Sequence, residues 1–154
     1  MILNYTPGTI KKFRRTPWRF QQTVERADVD QMEAFIAAII SAHGGLSGGM
    51  VAIDEVVFDL TRMTALCAVP PGKALERDSS ITAETKAELA FLLTAVFGDG
   101  PDFIFVPTPK PFVFYSDHDD WITFFANTKS NLNGIIGPLE ALGIRLVSNW
   151  QRVF

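Results

Sequence analysis

Only one cysteine, Cys67, and two histidines, His43 and His118, occur among the 154 residues. A single thiol excludes an intramolecular disulfide and any cysteine-based zinc or iron–sulfur site within one chain. Two imidazoles exclude a histidine-rich metal site. Long apolar runs are also missing. The longest, Ala34 to Ile40, falls far short of the about 20 residues that a membrane-spanning helix needs. Met1-Ile2-Leu3-Asn4-Tyr5 has no basic stretch ahead of an apolar one, so it does not read as a secretory signal. The expectation is a cytoplasmic protein with a reduced thiol and no membrane partner. Internal repeats and low-complexity tracts are absent, as are a Gly-x-Ser-x-Gly elbow, a phosphate-binding loop and a dinucleotide fingerprint. Gly44-Gly45-Leu46-Ser47-Gly48-Gly49 follows a helix signal, whereas a phosphate-binding loop precedes one. It reads as a flexible helix exit.

What is present is ample apolar material: 47% hydrophobic and 12% aromatic residues, with 20% charged. That fills one core and predicts a single domain over 1–154. The net charge is −3, but it is unevenly spread. Residues 1–26 carry Lys11, Lys12, Arg14, Arg15, Arg19 and Arg26 against Glu25 alone, six minus one, or +5. The rest carries eight bases against sixteen acids, or −8. Residues 1–17 therefore read as a basic N-terminal arm beside an acidic body.

Apolar periodicity predicts three helices. The first spans Val29 to His43, capped by Asp28 with Gln31 completing a capping box and closed by Gly44-Gly45. The second spans Ala83 to Phe97, capped by Thr82 and stopped by Gly98. The third carries Leu132, Ile135, Ile136, Leu139 and Leu142, with Ser130 as its cap. Pro138 inside it predicts a kink or a restart. Strands are expected at Trp18–Val24, Val51–Leu60, Met63–Val69, Phe103–Val106, Phe112–Tyr115, Trp121–Ala126 and Ile144–Trp150. Ser116–Asp120 then reads as the polar tip of a hairpin. The fold class is α+β: a mostly antiparallel sheet, about three helices, and a C-terminal β-β-α-β unit.

Asp117-His118-Asp119-Asp120 is the densest polar cluster. Carboxylates beside an imidazole suit a divalent metal or an acid–base pair. Adjacent turn residues point apart, however, and aspartate is common in turns because it bonds nearby amides. Asp54, Glu55 and Asp59 form a second acidic set on a predicted strand. Were the two sets to meet, they would make a metal-dependent hydrolase, the alternative reading. Cys67 sits in an apolar stretch and His43 at a helix end, so neither reads as catalytic. The bases of Lys11 to Arg19 alternate with aromatics, which suits a nucleic-acid strand. The acidic body opposes a phosphate backbone, so nucleic acid is not expected.

The leading expectation is a non-enzymatic protein-binding domain, of the inhibitor or immunity-protein kind, that captures a basic partner. Its expected contact residues are Tyr115, Asp117, His118, Asp119, Asp120 and Trp121, where carboxylates stand next to aromatic anchors. No cofactor or metal is expected. The composition is compatible with a homo-oligomer.

Overall fold

In the computed structural model, which describes residues 1–154, strand alternation decides where each apolar side chain goes. The strands are β1 (Ile2–Tyr5), β2 (Phe20–Glu25), β3 (Gly48–Glu55), β4 (Ser79–Ala83), β5 (Asp102–Thr108), β6 (Val113–Ser116), β7 (Trp121–Ala126) and β8 (Leu146–Val147). They form one eight-stranded sheet in the order β1-β4-β3-β5-β6-β7-β2-β8, with every neighbouring pair antiparallel. The helices are α1 (Thr9–Arg15), α2 (Met32–Ser41), α3 (Thr61–Leu66), α4 (Lys86–Asp99) and α5 (Lys129–Ala141).

Val51, Ile53, Phe103, Phe105, Phe114 and Phe124 point to one face, where α2, α4 and α5 bury them in the main core. The intervening residues Ala52, Ile104, Val113, Tyr115 and Phe125 point to the other face, where they meet Ile10 and Phe13 of α1. The chain is thus a single α+β domain on an antiparallel sheet, and its C-terminal part follows the β-β-α-β order. No helix is long and apolar enough to cross a membrane. The basic segment 1–17 supplies an edge strand and a helix: β1 pairs with β4, and α1 lies on the sheet with Lys11, Lys12 and Arg15 exposed.

Five helices are present where periodicity predicts about three. Met63–Val69 is not a strand. It is mostly α3, whose first turn is held by the Asp99 carboxylate, which accepts from the Arg62 and Met63 amides at 3.2 and 2.8 Å. That support comes from the far end of α4 and leaves no local mark. β3 stops at Glu55 rather than Leu60, because its partner β5 begins at Asp102, opposite Glu55. β4 lies where a helix start was expected, so α4 begins later and is capped by Thr85, not Thr82. Thr128, not Ser130, caps α5. The first helix opens with a 3-10 turn at Val29–Gln31, and Asp28 provides no side-chain cap. Val29 is 94% exposed, outside the buried stripe. Of Ile144–Trp150, only Leu146 and Val147 pair as strand.

Two glycine-containing segments behave differently from their sequence reading. Gly48 and Gly49 are buried in β3; a Cβ on Gly49 would lie 2.6 Å from the Phe105 ring. The absence of a side chain there serves close packing rather than flexibility. In α5, a Cβ on Gly134 would lie 2.5 Å from the His43 ring, whose Nε2 is 2.9 Å from the Asn131 carbonyl oxygen. The helix continues through Pro138 to Ala141 without restarting.

Candidate functional site

Antiparallel pairing gathers four chain segments at one end of the sheet. Glu55 of β3 stands opposite Asp102 of β5, Phe103 opposite Ser116, Ser116 opposite Ile122, and Trp121 opposite Glu25. The loop after β3 and the β6–β7 turn therefore meet, although they are far apart in sequence. Between them opens a cleft of about 550 Å³ whose lining includes Arg26, Phe58, Asp59, Arg62, His118 and Asp120.

The turn is held by its own side chains. One oxygen of Asp117 accepts the amides of Asp119 at 2.9 Å and Trp121 at 3.2 Å. Its other oxygen meets Arg152 at 3.0 Å. Asp120 adopts a left-handed backbone, φ 69°, which aspartate tolerates better than most residues. It pairs with Arg26 at 2.7 Å. The Asp102 carboxylate accepts twice from His118, from the amide at 2.7 Å and from Nδ1 at 2.8 Å. That hydrogen bond raises the His118 pKa; partial burial opposes it, and the charges of Asp102, Asp119 and Asp117 add to the rise. Nδ1 is bound to the carboxylate, so Nε2 is the nitrogen left to meet a partner, 3.7 Å from Asp119.

The predicted contact residues separate onto two faces. His118 and Asp120 line the cleft, and Asp119, 81% exposed at its side chain, stands beside His118. Tyr115 and Trp121 point to the α1 face instead. There the Arg152 guanidinium lies 4.8 Å from the Tyr115 ring centroid, bonds Thr123 Oγ1 at 2.8 Å and pairs with Asp117. Trp121 packs edge-on against Trp150, with centroids 4.7 Å apart. Tyr115 is buried, and its hydroxyl donates to Asp54 at 2.7 Å. Burial, then the neighbouring Asp54 carboxylate, pushes the Tyr115 phenol far above its ordinary range.

The second acidic set also divides. Asp54 is buried on the α1 face, bound by Arg14 at 2.7 Å and Arg77 at 3.4 Å. Asp59 lines the cleft with His118 and Asp120. One member of each acidic set thus meets the other, but no three His, Cys, Asp or Glu side chains come together in a form that could hold a metal ion. Cys67 lies past the end of α3, half-buried, with Sγ donating to the Met63 carbonyl at 2.8 Å, and burial raises its pKa.

Sequence reasoning overlooked Phe58, Arg62, Asp102 and Arg152. Phe58 had only a masked signal: an aromatic residue followed by Asp59, inside the strand expected over Val51–Leu60, while the end of β3 at Glu55 is set by its pairing with β5. Asp102 and Arg152 had none, because their partners lie 16 to 35 residues away. Compared with protein-family models, curated proteins and solved structures, the chain matches none.

Proposed function

We propose that the chain is a non-enzymatic protein-binding domain that takes a basic, partly apolar segment of a partner at the cleft end of its sheet. The observation that carries this reading is Phe58. Its side chain is 58% exposed at the rim of a cleft that also holds Asp59 and Asp120, with Asp119 alongside. An exposed aromatic among carboxylates offers both an anchor and charge steering. Asp120, Asp102 and Asp117 are offset by Arg26, His118 and Arg152, while Asp59 and Asp119 are exposed. Asp117, Asp120 and His118 are engaged within the chain, which leaves Asp59 and Asp119 as the carboxylates best able to meet a partner. The reading thus moves weight from Tyr115 and Trp121 to Phe58.

Selection of a random displayed peptide library on the immobilised chain tests this. Recovered peptides should be enriched in Lys or Arg next to an apolar residue. Phe58→Ala should weaken them at least about thirtyfold, the loss of one anchoring side chain. Asp59→Asn with Asp119→Asn should slow their association and flatten its salt dependence. Peptides without basic enrichment, or binding indifferent to Phe58→Ala, would overturn the proposal. So would a divalent-metal-dependent hydrolysis abolished by Asp119→Asn.

A further inference from the structure

The two edges of the sheet are finished differently. β8 is only two residues long, follows Arg145, and its Val147 carbonyl already accepts from Gln22 Nε2 at 3.1 Å. Shortness and charge of this kind keep an edge from pairing with another chain. At the opposite edge, β1 runs Ile2-Leu3-Asn4-Tyr5, with no charge, no proline and an unbroken register against β4. Ile2 is 45% exposed and Tyr5 60%.

The phase of the β1–β4 hydrogen bonds decides which groups this edge presents. Residues of an antiparallel strand alternate between those that bond the neighbour and those that turn their N–H and C=O away. The Thr6 amide donates to the Asp78 carbonyl at 2.8 Å, one step beyond the Tyr5–Ser79 pair, and the Ser79 amide goes to Glu76 instead. Thr6, Asn4 and Ile2 therefore bond toward β4, and Leu3 and Tyr5 aim their N–H and C=O out of the sheet. Neither of the two has a backbone partner beyond the sheet. Leu3 packs against the main core, and Tyr5, two residues on, shares its face.

A second β1 satisfies these groups. A two-fold axis normal to the sheet, standing outside the molecule beside the free edge at Asn4, keeps each face of the sheet on its own side and sets the two strands antiparallel. Leu3 of each copy then lies opposite Tyr5 of the other, because both residues turn outward and share a face. Every outward N–H meets an outward C=O, each Tyr5 ring lies beside a Leu3, and the two Asn4 residues stand opposite one another. Such an axis also brings any charge near it close to its own copy, and β1 has none to repel. We propose that two copies of this chain join edge to edge through β1, making their two sheets continuous. Main-chain bonds from two residues per copy make a small interface, so association belongs on the order of micromolar or weaker.

Sedimentation equilibrium over a concentration series tests the proposal on the whole chain. The mass should rise with concentration from 17.1 kDa toward twice that value. Tyr5→Pro removes an N–H that makes no bond within the chain, and should keep the mass at the monomer value, with circular dichroism confirming an intact fold. A cross-link reads the register. Facing residues of a non-hydrogen-bonded pair have Cα atoms about 4.5 Å apart, within disulfide reach. In a Cys67→Ser background, Asn4→Cys should therefore oxidise to a covalent dimer. Ile2→Cys should not, because the two copies of that residue lie about 13 Å apart along the paired strands. A chain that stays monomeric to about 1 mM overturns the proposal. So does a dimer that survives Tyr5→Pro, a dimer that Asn4→Cys fails to cross-link, or equal cross-linking through Ile2→Cys. None of these variants touches the cleft, so failure here leaves the reading of Phe58 and Asp119 standing, and the reverse holds too.

Discussion

His118 shows how one contact turns a turn residue into a titrating group. Its Nδ1 and its amide share a single oxygen of Asp102, so ring and backbone are fixed by the same carboxylate. The imidazolium is favoured, and the folded-state pKa lies above the ordinary histidine value of about 6.5. The sign follows from linkage. A pKa raised on folding adds stability that is fully present below about 6.5 and is lost as pH rises through the folded value. Proton NMR of the His118 ring should give a midpoint above 6.5, and Asp102→Asn should bring it back toward 6.5. A wild-type midpoint at or below 6.5 would remove the His118–Asp102 pair from the account. In the sequence, the Asp117–Asp120 cluster was legible as an aspartate-rich turn, and Asp117 does bond the amides of Asp119 and Trp121. The destinations of its other groups, Arg152, Arg26 and Asp102, depend on sheet pairing and were not legible.

At the scale of elements, apolar periodicity located α2, α4 and α5 because each turns a continuous stripe to the sheet. It placed β5, β6 and β7 because Phe103, Phe105, Phe114 and Phe124 alternate with side chains that face α1. It failed where support is not local. α3 is only six residues long and depends on Asp99, and β4 mixes serine and threonine with a single large apolar residue, Ile81. β1 exists because β4 offers it an edge, with Ile2 opposite Thr82 and Tyr5 opposite Ser79. The packing of α5 on the sheet is open to a direct check. Leu139 is fully buried in the main core, so Leu139→Ala should lower stability by about 2–5 kcal/mol through lost burial and a residual cavity. Urea unfolding reads the change, and an unmoved midpoint would remove α5 from the load of the core.

Across the whole molecule, the sheet separates two electrostatic regions. α1 carries Lys11, Lys12 and Arg15 into solvent, and its Arg14 reaches through to the buried Asp54. The carboxylates of the cleft end lie elsewhere, beside Phe58 and the β6–β7 turn. Partner capture in this account belongs to the second region, where the exposed carboxylates of Asp59 and Asp119 stand by the exposed Phe58 ring. Amide chemical-shift mapping of the isotope-labelled chain, titrated with a lysine-rich peptide recovered by display, tests that claim most directly. The account predicts saturable shifts confined to Val56–Asp59 and His118–Asp120 and their immediate neighbours, weakened by Phe58→Ala. Shifts centred on Lys11–Arg15 or on the outer face of α2 and α4, with the Phe58 loop unmoved, would contradict it.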